Sequence, residues 1–478
     1  MTMDSSMHRN FINLKIGAIL FLILVFYIGL FFISNLVTER QSYQQQVIRD
    51  IANEQIRPQQ VIAPYLKLPY QVQTTCTNEE KKTYDCTQTV FVTLGAETAD
   101  WTAQFDVSDS TYKRNIYKAI GYQNTMSGKG VFKAVGNESQ RNYLWDQAEI
   151  IFPIQDARGL NAKPMFNIDG KAYKFDFAEQ SQSQQGFDLM HITAKQYPEL
   201  IQKFQQGFLF SLQFKLEGLS EFRFIPTSYE MTYHATGNWG DVKYDGQSLP
   251  FKKSSKKQEF SADWKNIALG KRNLDSVSKC ENSQCIYDVL NNSGAAMAAL
   301  EARAADNVTS YATTTLSNIS GISTQFIEPV NIYTQTDRAI KYGVMLIIIT
   351  FGCFFLFEIL KSLKIHPVQY ALVAMAQGVF FVLLLSISEY YAFAWAYLVA
   401  VVACISLITW YLYFVVQGYK AAFLFGLLLS TLYGMMYLLL QSSGKTFLFG
   451  SILSFILIAC VMFITRHVNW YQSEQPSQ

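Results

Sequence analysis

Catalysis or ligand binding needs a nucleophile, a base or a ligand set at a workable spacing, and this chain offers few candidates. Lys445 sits in Gly444-Lys445-Thr446, which has the form of the tail of a phosphate-binding loop. The full motif needs a glycine five residues before Gly444, where the chain has Leu439, and it needs a strand ahead of it, so no nucleotide site is expected. Ser254-Ser255-Lys256-Lys257 holds an S-x-x-K match without a KTG partner, in what reads as an exposed basic loop. The five histidines, at 8, 191, 234, 366 and 467, form no HExxH and no i, i+4 pair, and His191 and His234 read as surface or core residues rather than ligands. Catalytic, cofactor and metal residues are therefore expected to be absent.

Composition explains the scarcity. Half of the 478 residues are hydrophobic and 16% are charged, against about 25% for a solvated globular chain. Between Ala339 and Arg466 the ionised side chains are Lys341, Glu358, Lys361, Lys364, Glu389, Lys420, Lys445 and Arg466, nearly all at the ends of apolar runs. No water-facing surface can be assembled from such a stretch, so residues 339–466 are expected to form a five-helix transmembrane bundle. Its spans fall near 340–358, 369–388, 393–416, 420–440 and 446–465. A further span covers 12–35, long enough at about 1.5 Å per residue to cross the bilayer. It runs through Phe31-Phe32-Ile33 into Thr38-Glu39-Arg40 without a small-x-small cleavage site, so it reads as an uncleaved signal anchor.

Six spans put both termini on one side. Arg9, Lys15, Lys361, Lys364, His366, Lys420, Arg466 and His467 then fall together, in the cytoplasm by the positive-inside rule, with residues 1–11 and 467–478 as short cytoplasmic ends. Lys445 is the mild exception. Residues 36–338 become an exported, periplasmic domain. Cys353, Cys404 and Cys460 lie in spans, while Cys76, Cys86, Cys280 and Cys285 lie in the exported segment, where an even count implies disulfides. Of the three pairings, the two local ones are favoured, Cys76 with Cys86 and Cys280 with Cys285.

Glu39 to Gln60 reads as a polar helix or stalk. Beyond Val61 the period becomes two: Phe208, Phe210, Leu212, Phe214 and Leu216 alternate with polar partners. Further strand candidates are 89–94, 130–134, 148–154, 221–225, 230–235 and 258–262. Many short strands suggest an antiparallel sandwich or a pair of packed sheets. The Gln/Ser-rich stretch 178–186 and the stretch 280–333 read as surface excursions, the latter with a short helix at 295–305 capped by Asn292 or Ser293. Asn137, Asn291, Asn307 and Asn318 head N-x-S/T triplets and carry no assigned role.

Within the spans, Glu358 and Glu389 lie near helix ends and the last three spans hold no central charge, which disfavours an ion-coupled pump. Gln377 is the most central strongly polar side chain, suited to a hydrogen bond between helices. Ala392, Ala396, Ala400 and Cys404, and again Gly426, Ser430 and Gly434, recur at fourfold spacing, as helix packing or a docking stripe for another membrane protein requires.

The run Thr336-Asp337-Arg338-Ala339-Ile340-Lys341-Tyr342-Gly343, the later Phe354-Phe355-Leu356-Phe357-Glu358, His366-Pro367-Val368-Gln369-Tyr370 and Leu383-Leu384-Leu385-Ser386-Ile387-Ser388-Glu389 together resemble the inner-membrane protein CreD family. So do Trp145 with Asp156-Ala157-Arg158-Gly159, Leu216-Glu217-Gly218-Leu219 and Phe260-Ser261-Ala262-Asp263-Trp264. Tyr390 stands where the family pattern has a histidine, so no role resting on that histidine carries over. The insert around Ala295 is also longer and richer in alanine than the pattern. The resemblance implies a Gram-negative inner-membrane protein linked to envelope integrity, under a sensor-kinase and response-regulator pair, and it supplies no biochemical activity.

The expectation is a non-enzymatic protein whose partners are the bilayer and other inner-membrane or envelope proteins, not nucleic acid, since the net charge is only +2 with no concentrated basic face. Asp337, Arg338, Lys341 and Tyr342 are candidates for coupling the two halves, with plain interfacial anchoring as the simpler reading. Glu358, His366 and Glu389 are candidates for a polar cleft between spans. Asp156 and Arg158 read as a turn-stabilising pair. The alternatives are a transporter or flippase for an envelope lipid or amphipathic molecule, and a periplasmic hydrolase.

Overall fold

The computed structural model describes residues 3–77, 83–135, 141–178, 187–256, 258–280, 285–287, 320–328, 332–361, 365–416, 418–441 and the positions 451, 455, 459 and 462. The chain divides into two compact units, 1–46 with 330–478, and 47–329. Helix α1 (Met3–Glu54) contributes residues to both.

The second unit is built from strands β1 (Gln59–Ile62), β2 (Tyr65–Thr77), β3 (Thr83–Leu94), β4 (Thr98–Arg114), β5 (Tyr117–Lys133), β6 (Asn142–Tyr143), β7 (Glu149–Ile154), β8 (Met165–Ile168) and β9 (Lys171–Lys174). Then follow β10 (Asp176–Phe177), β11 (Asp188–Thr193), helix α2 (Leu200–Gln206), β12 (Gly207–Leu219), β13 (Glu221–Ile225), β14 (Glu230–Gly237), β15 (Val242–Gly246), β16 (Lys252–Lys256), β17 (Glu259–Asn266), helix α3 (Leu269–Val277) and β18 (Ile322–Phe326). Eight strands form one sheet in the order β16-β17-β14-β4-β5-β12-β8-β9. The other ten form a second sheet along β10-β11-β7-β1-β13-β18-β15, with the β2–β3 hairpin joined to it through β7.

Alternation drives the assembly. In β4 Ala99, Trp101, Ala103, Phe105 and Val107 are buried at alternate positions, and in β12 so are Phe208, Phe210, Leu212, Phe214 and Leu216, with an exposed residue between successive members. These faces meet the inner face of the other sheet in an aromatic core, where Phe105 packs against Tyr122, Phe222, Phe260 and Phe326 and Trp101 against Phe224. Burying each such ring removes a large apolar area from water, at roughly 25 cal/mol per Å².

Three expectations are corrected. The domain is a pair of packed sheets but not wholly antiparallel, since β1–β13 and β4–β14 pair parallel, and several strands are long, 17 residues each in β4 and β5. The stretch 280–333 is not all surface excursion. It contains β18, buried between β13 and β15, whose Ile322 and Phe326 join the core. The Ser254-to-Lys256 segment is not a loop but belongs to β16, an exposed strand at a sheet edge. Helix 295–305, most of the 178–186 stretch and the four N-x-S/T asparagines lie outside the described residues.

Both local cysteine pairs are within disulfide distance, with Cα separations of 5.8 Å for Cys76–Cys86 and 5.3 Å for Cys280–Cys285. The first staples the β2–β3 hairpin near its tip, and the second closes the segment after α3.

In the first unit, α1 is followed by α4 (Ile332–Lys361), α5 (Pro367–Ser388), α6 (Phe393–Val416) and α7 (Tyr419–Gln441). Among the described residues five helices are long and apolar enough to cross a membrane. Of the expected sixth span, 446–465, the described positions Ser451, Phe455, Ala459 and Met462 are helical, and the rest, with Lys445, Cys460, Arg466 and His467, lies outside the described residues.

Gly128 shows how closely the sheet is packed. A Cβ there would lie 2.2 Å from the Trp101 ring, so the indole covers the β5 backbone where a side chain would stand. Gly128→Ala is expected to displace Trp101 and destabilise the folded chain by about 1–3 kcal/mol, the usual cost of overpacking. Thermal unfolding of the purified full chain measures it.

Candidate functional site

Polar groups on apolar helices are costly unless paired, so the partners they find show what they do. Lys15 of α1 and Glu358 of α4 are 13% and 12% exposed and form an ion pair. Lys15 Nζ also donates to the Ile365 carbonyl at 2.7 Å. The Glu358 carboxylate accepts further from the Ile365 amide at 3.3 Å and from the Tyr370 hydroxyl at 3.1 Å. Three donors, from α1, from the connection after α4 and from α5, thus converge on one carboxylate.

Deeper in the same helices, Gln377 Nε2 donates to Thr350 Oγ1 at 2.7 Å, both side chains fully buried, and joins α5 to α4. At the far end of α5 the Tyr333 hydroxyl donates to Glu389 at 3.3 Å. Between α6 and α7 the Tyr397 hydroxyl donates to the Tyr433 carbonyl at 2.6 Å, and Cys404 Sγ lies 3.4 Å from the Tyr433 hydroxyl. Ala396, Ala400 and Cys404 are buried, so this stripe serves packing within the bundle. On α7, Gly426 fits against Thr409 while Gly434 faces open space. A groove of about 760 Å³ follows this face, lined by residues that include Leu398, Val402, Thr409, Leu427 and Gly434.

The structure does not bring Glu358, His366 and Glu389 together. His366 is the N-cap of α5, where its ring accepts from the Val368 amide and Gln369 completes a capping box, and Glu389 is the C-cap. The 22 residues between them set the two caps roughly 33 Å apart. Asp337 and Lys341 pair with each other at 2.7 Å within α4, and Arg338 and Tyr342 are half-buried on the same helix.

In the second unit the Asp156-Ala157-Arg158-Gly159 turn is the densest polar knot. Asp156, 5% exposed, accepts from the Arg158 amide, from Arg158 Nε at 2.8 Å and from Nη2 at 2.6 Å. Arg158 Nη1 donates to the Asn53 carbonyl at 3.2 Å, placing a cation on the last turn of α1, where the helix dipole favours it. The Arg57 amide donates to Asp156 at 3.3 Å and Gln59 to its carbonyl at 3.2 Å. Asp188 accepts from the Ala157 amide at 2.7 Å, and burial pushes its carboxyl above the ordinary range despite that bond. Val47 and Ile51 of α1 are buried in this unit as well.

A hydrolase needs a nucleophile beside a base, with donors aimed at a developing oxyanion. The nearest approach is a row across the eight-stranded sheet: Asp263 beside His234 Nδ1, then Thr102 opposite His234, then Ser127 opposite Thr102 with their hydroxyls 2.6 Å apart. The row lies on an open face with His234 46% exposed, and the backbone amides around it are engaged in the sheet ladders. It has the parts of a triad on an exposed sheet face, with the surrounding strand amides committed to the ladders. Among the described residues no group of three His, Cys, Asp or Glu side chains is placed to hold a metal.

Sequence reasoning missed the contacts of Lys15 and Tyr370, and missed Thr350, Tyr333, Asn53 and Asp188 altogether. All of them act through contacts with residues remote in sequence, and no spacing signals such contacts.

Among the described residues, five helices long and apolar enough to cross a membrane, with a two-sheet domain inserted after the first, define a membrane protein with a large β-rich domain. The family model described as inner membrane protein CreD matches residues 11–471, and the chain belongs to that family. It is 25% identical over 466 residues to the inner membrane protein CreD of Escherichia coli strain K12, covering 96% of this chain and 93% of that protein. Among solved structures, an M1 zinc metallopeptidase from Deinococcus radiodurans aligns over 36% of this chain and 38% of its own at 6% identity, with a TM-score of 0.17, a likeness that carries no structural argument.

Asp156→Asn keeps the shape of the knot and removes its charge. It is expected to lower stability by about 1.5–3 kcal/mol, the range for hydrogen bonds to ionised groups. Arg158→Lys, which keeps charge but not the two-pronged contact, is expected to fall between that variant and the parent in thermal unfolding of the full chain.

Proposed function

We propose that this protein supports the integrity of the bacterial envelope without catalysis. It holds its β-rich domain on the periplasmic side of the inner membrane, its termini in the cytoplasm, and acts through contacts with envelope components or other membrane proteins. The observation that carries this reading is the use made of the polar groups. Lys15, Glu358, Tyr370, Thr350, Gln377, Tyr333 and Glu389 are committed to links between helices or chain segments, and Asp156 with Arg158 to fastening the end of α1. Side chains held in this way support a scaffold better than a pump or a hydrolase.

Transport or flipping of an envelope lipid is the second reading, and the groove along α6 and α7 favours it. Gln377 and Glu389 do not line that groove, so a substrate path there would depend on Thr409, Gly426 and Gly434 instead.

Complementation of a deletion strain under envelope stress separates these readings. Glu358→Gln and Asp156→Asn are expected to weaken rescue at equal membrane abundance, while His234→Ala, Asp263→Asn and Gly434→Leu leave it intact. Loss of rescue with His234→Ala would support hydrolysis, and loss with Gly434→Leu would support lipid handling. Crosslinking in membranes with mass spectrometry, under the same stress, is expected to return reproducible neighbours of the β-rich domain.

A further inference from the structure

Sheet edges expose unpaired N–H and C=O groups, and soluble domains blunt them with lysine, proline or brevity. In this domain the blunting is visible edge by edge. The eight-stranded sheet ends in β16, which reads Lys252-Lys253-Ser254-Ser255-Lys256, and in β9, which reads Lys171-Ala172-Tyr173-Lys174. The ten-stranded sheet ends in β10, two residues long, and in β15, five residues long with Lys243 and Asp245.

Strand β3 departs from this pattern. It pairs only with β2 among the described residues, runs for 12 residues from Thr83 to Leu94, and contains neither lysine nor proline. Its residues are β-branched, aromatic or neutral polar apart from Asp85, the disulfide-bonded Cys86 and Leu94, and Tyr84 and Phe91 are 54% and 40% exposed. The ribbon it forms with β2 is stapled by Cys76–Cys86, which keeps the edge extended where a bare hairpin would fray. Among the described residues α3 covers the Leu94 end of this edge, where Thr93 Oγ1 donates to the Leu274 carbonyl at 3.1 Å, and the long remainder, in a domain that protects its other edges, is suited to adding a strand.

The charge pattern selects the strand that is added. Asp85, Thr87, Thr89 and Phe91 share one face of β3 by the period of two. Lys67 of β2 holds its ammonium 4.2 Å from the centre of the Phe91 ring and 4.0 Å from Glu149, with which it already makes one ion pair. If a second β3 lies antiparallel with Gln88 opposite Gln88, Asp85 of each copy falls opposite Phe91 of the other, beside that ammonium. Thr87 then faces Thr89, and no like charges face each other across the two β3 strands. We propose that β3 is the pairing edge for a second copy of this chain, in the antiparallel register centred on Gln88.

The inference is independent of the scaffold reading above. A benzophenone amino acid in place of Gln88, in the full chain in native membranes, tests it. Isotopically light and heavy copies are expressed together so that links between chains are distinguished from links within one. The expected product has twice the chain mass, joins β3 of one copy to residues near 88 of the other, and exceeds by several-fold the product from the same probe at Ala172 on the lysine-guarded β9. Asp85→Lys, which sets a lysine beside Lys67, is expected to lower the yield several-fold, and Asp85→Asn less. Intact mass under non-reducing conditions confirms that Cys76–Cys86 still closes in each variant. A yield at 88 no higher than at 172, capture of a different protein, or a yield indifferent to Asp85→Lys with the disulfide intact would each overturn the proposal.

Discussion

Removing a charge from water is so costly that a nearly buried ammonium and carboxylate must find each other, and Lys15 and Glu358 do so across 343 residues of sequence. Much of the helical unit follows from that constraint. The pair brings the start of α1 to the end of α4. Its remaining hydrogen bonds fix the Ile365 backbone and the Tyr370 hydroxyl, and so position the start of α5. Apolar packing then completes the contact, with Phe26 and Leu30 of α1 buried near Gly378 and Gly343. Packing of this kind is weakly directional among lipid tails as apolar as the side chains, so the polar links select one arrangement of the helices.

The β-rich unit solves a different problem. Water is available to its outer faces, and its stability comes from aromatic rings brought together between two sheets. There too the sharpest specification is polar. Asp156 and Arg158 fix the turn after β7 and grip the last turn of α1, so that the same helix is fastened near both of its ends, each within its own unit.

Legibility followed the range of the interaction. The alternation of β12 and the strand Glu221–Ile225 were readable because a period of two is local, and the Asp156–Arg158 pair because its members lie two residues apart. Strand β18 was not readable. Its Ser323 and Thr324 are buried between neighbouring strands, where polarity signals a loop to any reading of pattern alone. The parallel β1–β13 and β4–β14 pairings depend on topology and leave no mark on composition. Lys15 was legible as a topology charge but not as a partner of Glu358, because the positive-inside rule fixes the side of the membrane and says nothing of contacts.

The central claim is that polar pairing holds the helical unit together, and a double-mutant cycle on Lys15→Met and Glu358→Gln in the full chain tests it most directly. Unfolding in mixed micelles is expected to show each single variant losing about 3–5 kcal/mol, because each leaves a buried group without its partner. The double variant is expected to lose less than either. Single losses that are small, or that simply add in the double variant, would contradict the account.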